Sequence, residues 1–235
     1  EGRYNKVNAG MGGIYGYDSP EDMLASITDI ASQVYVDAAS RQEFRRLLAE
    51  KDEVLEFVTE NKRKDGSHIW TSVDARTVRD AEGNILYYEG FVRDITEQKR
   101  TEERLQLQSA ALEAAANTIV ITDHAGLIEW ANPSFTILTG FDSSEAIGKN
   151  PRELNKSGKQ DQAFYKTLWN TILSGQVWHG ELVNRRKDGS FYDEEMTITP
   201  LRNQQGEISH FIAVKQDITM RKQAEKRLNE SQAQL

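Results

Sequence analysis

Apolar and polar residues alternate along this chain with two periods, and each period marks its own stretch. In the second half, NTIVIT (Asn117–Thr122) and GLIEWAN (Gly126–Asn132) are short β-rich runs separated by DHAG, which predicts a hairpin. PSFTILTGFDSSEAIGKN follows with short helical pieces, broken at Gly140 and Gly148. Between Asp161 and Gly175 the period changes to that of a helix: Phe164, Leu168 and Ile172, with Trp169 and Leu173, fall on one side, and the run stops at glycine. Three more strands are predicted in WHGELVNRR, FYDEEMTITPLRN and SHFIAVKQDIT, joined at Lys-Asp-Gly and Gln-Gly turns whose residues tolerate positive φ. Strands and helices are segregated, so the class is α+β. Five antiparallel strands with helices over one face make a cup.

The first half repeats these words. NKRKDGS at Asn61–Ser67 returns as NRRKDGS at Asn184–Ser190, DIT at Asp94–Thr96 returns at Asp217–Thr219, and Gly83 returns as Gly206, each 123 positions on and without a gap. A fixed offset between turn residues and strand ends means two copies of one structural unit. The first copy is therefore predicted to run GRYNKVNAG, a short-helix region GYDSPEDMLASITDI, a helix through RQEFRRLLAEK, and strands VLEFVTENKRK, HIWTSVDARTVRD and ILYYEGFVRDIT. Setting Gly2 against Gly126 and Asn8 against Asn132 starts the chain inside the first hairpin turn, without the first strand. The predicted division is a first domain at 1–96, a connector helix at 97–116, a second domain at 117–219 and a C-terminal helix at 220–235.

The two helical segments are rich in Glu, Lys, Arg, Gln and Ala, and carry leucines seven apart at Leu105 and Leu112, then at Leu228 and Leu235. That spacing suggests a coiled-coil seam and a homodimer, with a solvated connecting helix as the alternative. Thr96 and Thr219 stand at the N-cap positions of these helices. Because each sheet runs almost directly into a helix, Asp94, Thr96, Asp217 and Thr219 are candidates for signal relay.

Composition narrows the chemistry. With 235 residues and a net charge of −8, the chain has no surplus of Lys and Arg to neutralise phosphates, so nucleic acid is not an expected partner. No apolar run is long enough to span a bilayer and no leader pattern opens the chain, so a cytoplasmic location without direct membrane contact is expected, a parent protein with an anchor elsewhere remaining open. There is no Cys, which removes disulfides, thiolate nucleophiles and thiolate metal sites together. No P-loop, Gly-x-Ser-x-Gly word or metal motif is present, so this chain is not expected to be an enzyme by itself.

The repeated N(K/R)RKDGS, the G(Y/F)xSxE segments at Gly16–Glu21 and Gly140–Glu145, and DIT, in this order and duplicated, resemble the PAS sensory domains of bacterial signalling proteins. The resemblance covers essentially the whole chain. It implies a sensor or dimerisation module feeding an output domain elsewhere in the parent chain, such as a histidine kinase, diguanylate cyclase or phosphodiesterase. Fold does not choose the ligand. The lack of Cys excludes a flavin–cysteine adduct or a thioester-linked chromophore. Haem is disfavoured, since the axial His of haem-binding relatives commonly lies on the long helix, whereas His68, His124, His179 and His210 fall at turns or strands. No ligand spacing supports a metal site.

The second copy is similar to the PAS domains of redox sensors that bind FAD noncovalently, through NPRELNKSGKQDQAFYKTLWNTILSGQVWHGELVNRRKDG. This likeness implies that Asn184 pairs with the flavin pyrimidine edge, a carboxamide offering donor and acceptor together. It sets Trp169 beside the ring. Each residue also has a structural reading: Asn184 opens a word shared with Asn61, and Trp169 suits a helix core. Trp178 is a candidate wall of the cup, with sheet packing the favoured reading. Relatives can show an acid just after GKN; here Pro151 stands there, and Glu153 is the nearby candidate. In the first copy Arg46 stands opposite Trp169, and no cofactor is expected. The alternative for the whole chain is a cofactor-free pair serving dimerisation and relay.

Overall fold

The computed structural model describes residues 2–232 and divides into two compact units, Glu1–Gln106 and Leu107–Leu235. The first unit opens with α1 (Ala9–Ile14), α2 (Pro20–Ser26), α3 (Ile30–Gln33) and α4 (Ala38–Lys51). Each start is capped by a side chain from Asn8, Ser19, Asp29 or Asp37 that accepts an otherwise unpaired backbone N–H. Strands β1 (Glu53–Lys62), β2 (His68–Arg79) and β3 (Ile85–Asp94) follow as an antiparallel sheet in the order β1-β2-β3. Tyr15, Met23, Ile30, Val34 and Ile69 form the larger of its two buried clusters. Helix α5 (Thr96–Glu113) leads onward.

The second unit comprises β4 (Thr118–Asp123), β5 (Ile128–Ala131), α6 (Pro133–Thr139), α7 (Ser143–Ala146), α8 (Pro151–Asn155), α9 (Gln162–Leu173), β6 (Trp178–Arg185), β7 (Phe191–Arg202), β8 (Ile208–Asp217) and α10 (Thr219–Gln232). Its five strands lie in the order β5-β4-β8-β7-β6, all neighbours antiparallel. Val120, Leu182, Met196 and Phe211, alternate residues of their strands, pack against Phe135 of α6, Ala146 of α7 and Leu168 and Ile172 of α9.

Five strands were expected in the unit and four of them in the first copy, whose first strand was read as missing; among the described residues the first unit has three. The cause is pairing. β5, the counterpart of GRYNKVN, pairs only with β4 in the second unit. Among the described residues of the first unit nothing plays the part of β4, and a strand without a ladder partner leaves its backbone groups unpaired. The segment is held by loop bonds instead: Gly2 O accepts from Ile30 N at 2.7 Å and Arg3 Nε donates to Thr28 O at 3.1 Å. β3 is consequently an edge, and Tyr88 on it is 51% exposed where its counterpart Phe211 is 3% exposed.

The repeated words form a latch that both units share. The KDGS turn places Lys64 against Asp22 (2.6 Å) and the Tyr17 ring, and Lys187 against Glu145 (2.6 Å) and the Phe141 ring. The preceding arginine reaches the other way. Arg63 donates to Ile14 O and Asp94, and Arg186 donates to Leu138 O and Asp217, joining helical region, turn and strand end.

The threonines expected as N-caps do different work. Asp94 Oδ1 and Asp217 Oδ1 accept from Thr96 N (2.9 Å) and Thr219 N (2.8 Å), so the aspartates satisfy the first N–H of each helix. The hydroxyls instead accept from Trp70 N (3.0 Å) and Asp193 N (2.9 Å), which ties each helix start back to the neighbouring strand. A threonine at the sheet edge finds an unpaired strand N–H closer than one in its own helix. Leu105, Leu112 and Leu228 are exposed on α5 and α10. Leu235 lies outside the described residues, as does the end of the 220–235 segment.

Candidate functional site

A cavity of about 270 Å³ lies in the second unit between α8, α9 and the inner sheet face. Its walls are apolar, with Val120, Leu168, Ile172, Met196 and Phe211 among them. Trp169 contributes one wall, its ring edge-on to Phe211 at 6.2 Å. The β4–β5 turn brings Gly126 against this indole: a Cβ there would lie 2.8 Å from Trp169 Cη2, and its φ of +83° already suits glycine. Arg152, Lys156, Gln162 and Lys166 line the mouth, and Lys156 Nζ sits 4.8 Å from the Tyr165 ring centre.

The inner end is polar and buried. Asn184 and Lys215, both 4% exposed, line the cavity, and Glu194, 0% exposed, stands behind them. Glu194 Oε1 accepts from Asn184 Nδ2 at 3.3 Å and faces Lys215 Nζ at 3.4 Å, while its Oε2 accepts from Tyr192 OH at 3.2 Å. Burial, reinforced by the adjacent Glu194 charge, pushes the Tyr192 phenol well above the ordinary tyrosine range and keeps it a donor. Asn155 Nδ2 donates to the same phenol oxygen at 3.4 Å. Among the described residues no side chain or backbone donor bonds Asn184 Oδ1, which leaves an acceptor available beside the Lys215 ammonium.

Of the four candidate cofactor residues, Asn184 and Trp169 meet at this cavity. Trp178 does not line it: its indole folds over Gly180 and packs edge-on to Phe164 at 5.7 Å. Glu153 does not line it either, since it turns back to accept from Asn150 N at 3.4 Å in a capping box at the start of α8. Glu194 and Lys215 were missed because charged residues in alternating strands read as solvent-facing. The period carried the signal: Glu194 shares a strand face with Tyr192, Met196 and Ile198, and Lys215 shares one with Phe211 and Ala213. No histidine lines the cavity, and among the described residues no group of His, Cys, Asp and Glu could hold a metal ion. No helix there is long and apolar enough to cross a membrane.

In the first unit the corresponding Asn61 is 1% exposed and donates to Tyr15 OH (2.7 Å) and Thr71 Oγ1 (2.9 Å). Thr71 and Val92 occupy the places of Glu194 and Lys215. Arg46 is tied on the helix surface to Glu43 and Glu50.

The chain matches two family models, one described as a PAS domain over residues 1–97 and one as the PAS fold over residues 106–218. Both halves of the chain are PAS domains. Among curated relatives, a nitrogen fixation regulatory protein of Klebsiella oxytoca is 36% identical over 128 residues, 54% of this chain and 26% of the relative. A blue-light-activated histidine kinase of Brucella canis is 30% identical over 93 residues, 40% of this chain and 19% of that protein. The PAS pair thus spans about a quarter or less of the curated relatives it matches. A solved RNA-binding Light-Oxygen-Voltage receptor superposes over 97% of this chain and 96% of its own with a TM-score of 0.50 at 15% identity, a likeness of fold.

Proposed function

We propose that this tandem PAS pair is a sensory module of a bacterial signalling protein, and that its second domain binds FAD noncovalently and passes the state of the site to α10. The observation that carries this reading is the meeting of the Asn184 carboxamide and the Trp169 indole at one apolar cavity with a polar inner end. A flavin ring is flat and apolar over its faces and carries an imide edge of alternating acceptor and donor, which the free Asn184 Oδ1, its Nδ2 and the Lys215 ammonium complement. The cavity volume, about 270 Å³, suits the ring system and not a whole dinucleotide. The phosphates would then stay at the mouth, where Arg152, Lys156 and Lys166 offer cations.

When bound, the group supplies reversible electron uptake and blue-light absorption. The chain's own residues do the rest: Trp169 and Phe211 exclude water from the ring, Asn184 orients the edge, and Asp217 fixes the start of α10. The first domain, whose Asn61 Nδ2 is taken by Tyr15 and Thr71 and which has Thr71 and Val92 where the second has Glu194 and Lys215, serves as a cofactor-free relay. Leu105, Leu112 and Leu228, exposed on mainly polar helices, support a homodimer through α5 and α10. The similarity to a nitrogen fixation regulator and to histidine kinases supports a histidine kinase or related output elsewhere in the parent chain. Adding FAD to purified protein, removing the excess and recording the absorbance spectrum tests the reading. Retained flavin bands with the structured shape of a buried ring are expected, and a colourless protein after exchange overturns it.

A further inference from the structure

Glu194–Lys215 is an ion pair with both side chains withdrawn from water, at 0% and 4% exposure. Such a pair is seldom retained for stability alone, because desolvating two charges offsets most of their attraction. The duplicated fold supplies an internal control. The first domain keeps the asparagine, the KDGS turn, the arginine and the DIT aspartate, yet has Thr71 and Val92 in place of the pair and Ile69 in place of Tyr192. Charges have therefore been placed only in the domain where the cavity described above reaches the asparagine.

The contacts continue outward from the pair without a break. Tyr192 OH donates to Glu194, and the Tyr192 ring lies under the Arg186 guanidinium at 4.6 Å from its centre. Arg186 donates to Asp217 at 2.6 Å, and Asp217 in turn accepts from Thr219 N, the first residue of α10. In β-ladder register Glu194 stands opposite Asp217, so the buried carboxylate and the helix-starting carboxylate face one another across neighbouring strands.

We propose that Glu194 and Lys215 are the ligand-reading element of the second PAS domain. On the reading above, Asn184 and Lys215 meet acceptor oxygens on the buried edge of a planar ligand. Their hold on Glu194 changes, and the change reaches α10 through Tyr192, Arg186 and Asp217. The ligand class follows from the donors at the inner end: an amide and an ammonium select an edge carrying at least two acceptors, and a ring that offers only carbon there leaves Lys215 on Glu194.

The test is a ligand-free double-mutant cycle on the whole chain, read by residue-resolved amide exchange at Thr219 and Lys222. Glu194→Gln with Lys215→Met removes both charges together and leaves neither uncompensated. Arg186→Lys keeps the charge but loses the fork. Removing the pair is expected to change exchange at these amides by about threefold or more in the wild-type background, and by much less in the Arg186→Lys background, as coupled residues require. Tyr192→Phe, which deletes one hydroxyl, is a milder second variant expected to reproduce the change. Equal effects in both backgrounds overturn the proposal. With FAD bound to the wild type, unchanged exchange at Thr219 and Lys222 overturns it as well. A wild-type protein that takes up no FAD defeats the flavin reading, while the ligand-free cycle still decides the coupling.

Discussion

Lys215→Met separates the buried-pair account from one in which Lys215 is merely a packed strand residue. Glu194 is fully buried and Lys215 is 4% exposed, so the substitution leaves a carboxylate whose remaining partners, Asn184 Nδ2 at 3.3 Å and Tyr192 OH at 3.2 Å, are both neutral. Breaking a buried pair from one side costs about 3–5 kcal/mol, whereas replacing both members by uncharged residues is often neutral or stabilising. The single variant should therefore lose a large part of a domain's ordinary stability, roughly 5–15 kcal/mol. Adding Glu194→Gln should restore the protein to within about 1 kcal/mol of wild type. With a urea slope of about 1–3 kcal/mol per molar, the single variant's midpoint should fall by roughly 2 M and the double variant's by less than about 0.5 M. Urea unfolding followed by tryptophan fluorescence reports this, because Trp130, Trp169 and Trp178 all lie in the second domain. A Lys215→Met midpoint within about 0.5 M of wild type, or a double variant below the single one, would refute the reasoning.

Three further outcomes are expected. Gly126→Ala should cost about 1–3 kcal/mol more than Gly189→Ala in urea unfolding, because both glycines have positive φ but only Gly126 would press a methyl on Trp169 and Asn150; equal costs would remove the turn–indole contact from the account. Burial alone would raise the Asp94 carboxyl, but hydrogen bonds from Thr96 and the Arg63 guanidinium hold it below the ordinary carboxylate range. Its contribution is therefore present above about pH 4 and lost as pH falls through the lowered folded value. Asp94→Asn should be less stable than wild type at neutral pH, with the gap closing in acid, and a gap constant down to about pH 2 would contradict this. On the proposed homodimer through α10, light scattering should give a dimer mass for the wild type and a lower mass for Leu228→Asp; a wild-type monomer would exclude the dimer, and an unaltered dimer in the variant would exclude Leu228 from the seam.

Elements with local causes were legible in the sequence. The glycine turns, the helical period of α9 and the alternation of β6 to β8 act within a few residues, and the helix-stopping Gly175 and the KDGS turn stand where the periods change. What stayed hidden depends on distant partners. GRYNKVN has strand-like residues, yet a strand forms only against a ladder neighbour. Thr96 and Thr219 stand where caps belong, but strand N–H groups 26 residues away take their hydroxyls. Glu153 follows GKN closely in sequence, yet it turns to its own helix start. Asn184 and Trp169 were singled out through the likeness to FAD-binding PAS domains, whereas Glu194 emerges only when the face it shares with Met196 is followed into the interior.

The most direct test of the central claim is the affinity of FAD for the wild-type chain and for Asn184→Ala, measured by calorimetric titration. If Asn184 orients the ring edge, the wild type binds and the variant binds about tenfold more weakly, the equivalent of one well-made hydrogen bond in a buried site. Equal affinity for both proteins, or no binding by the wild type, would contradict the account.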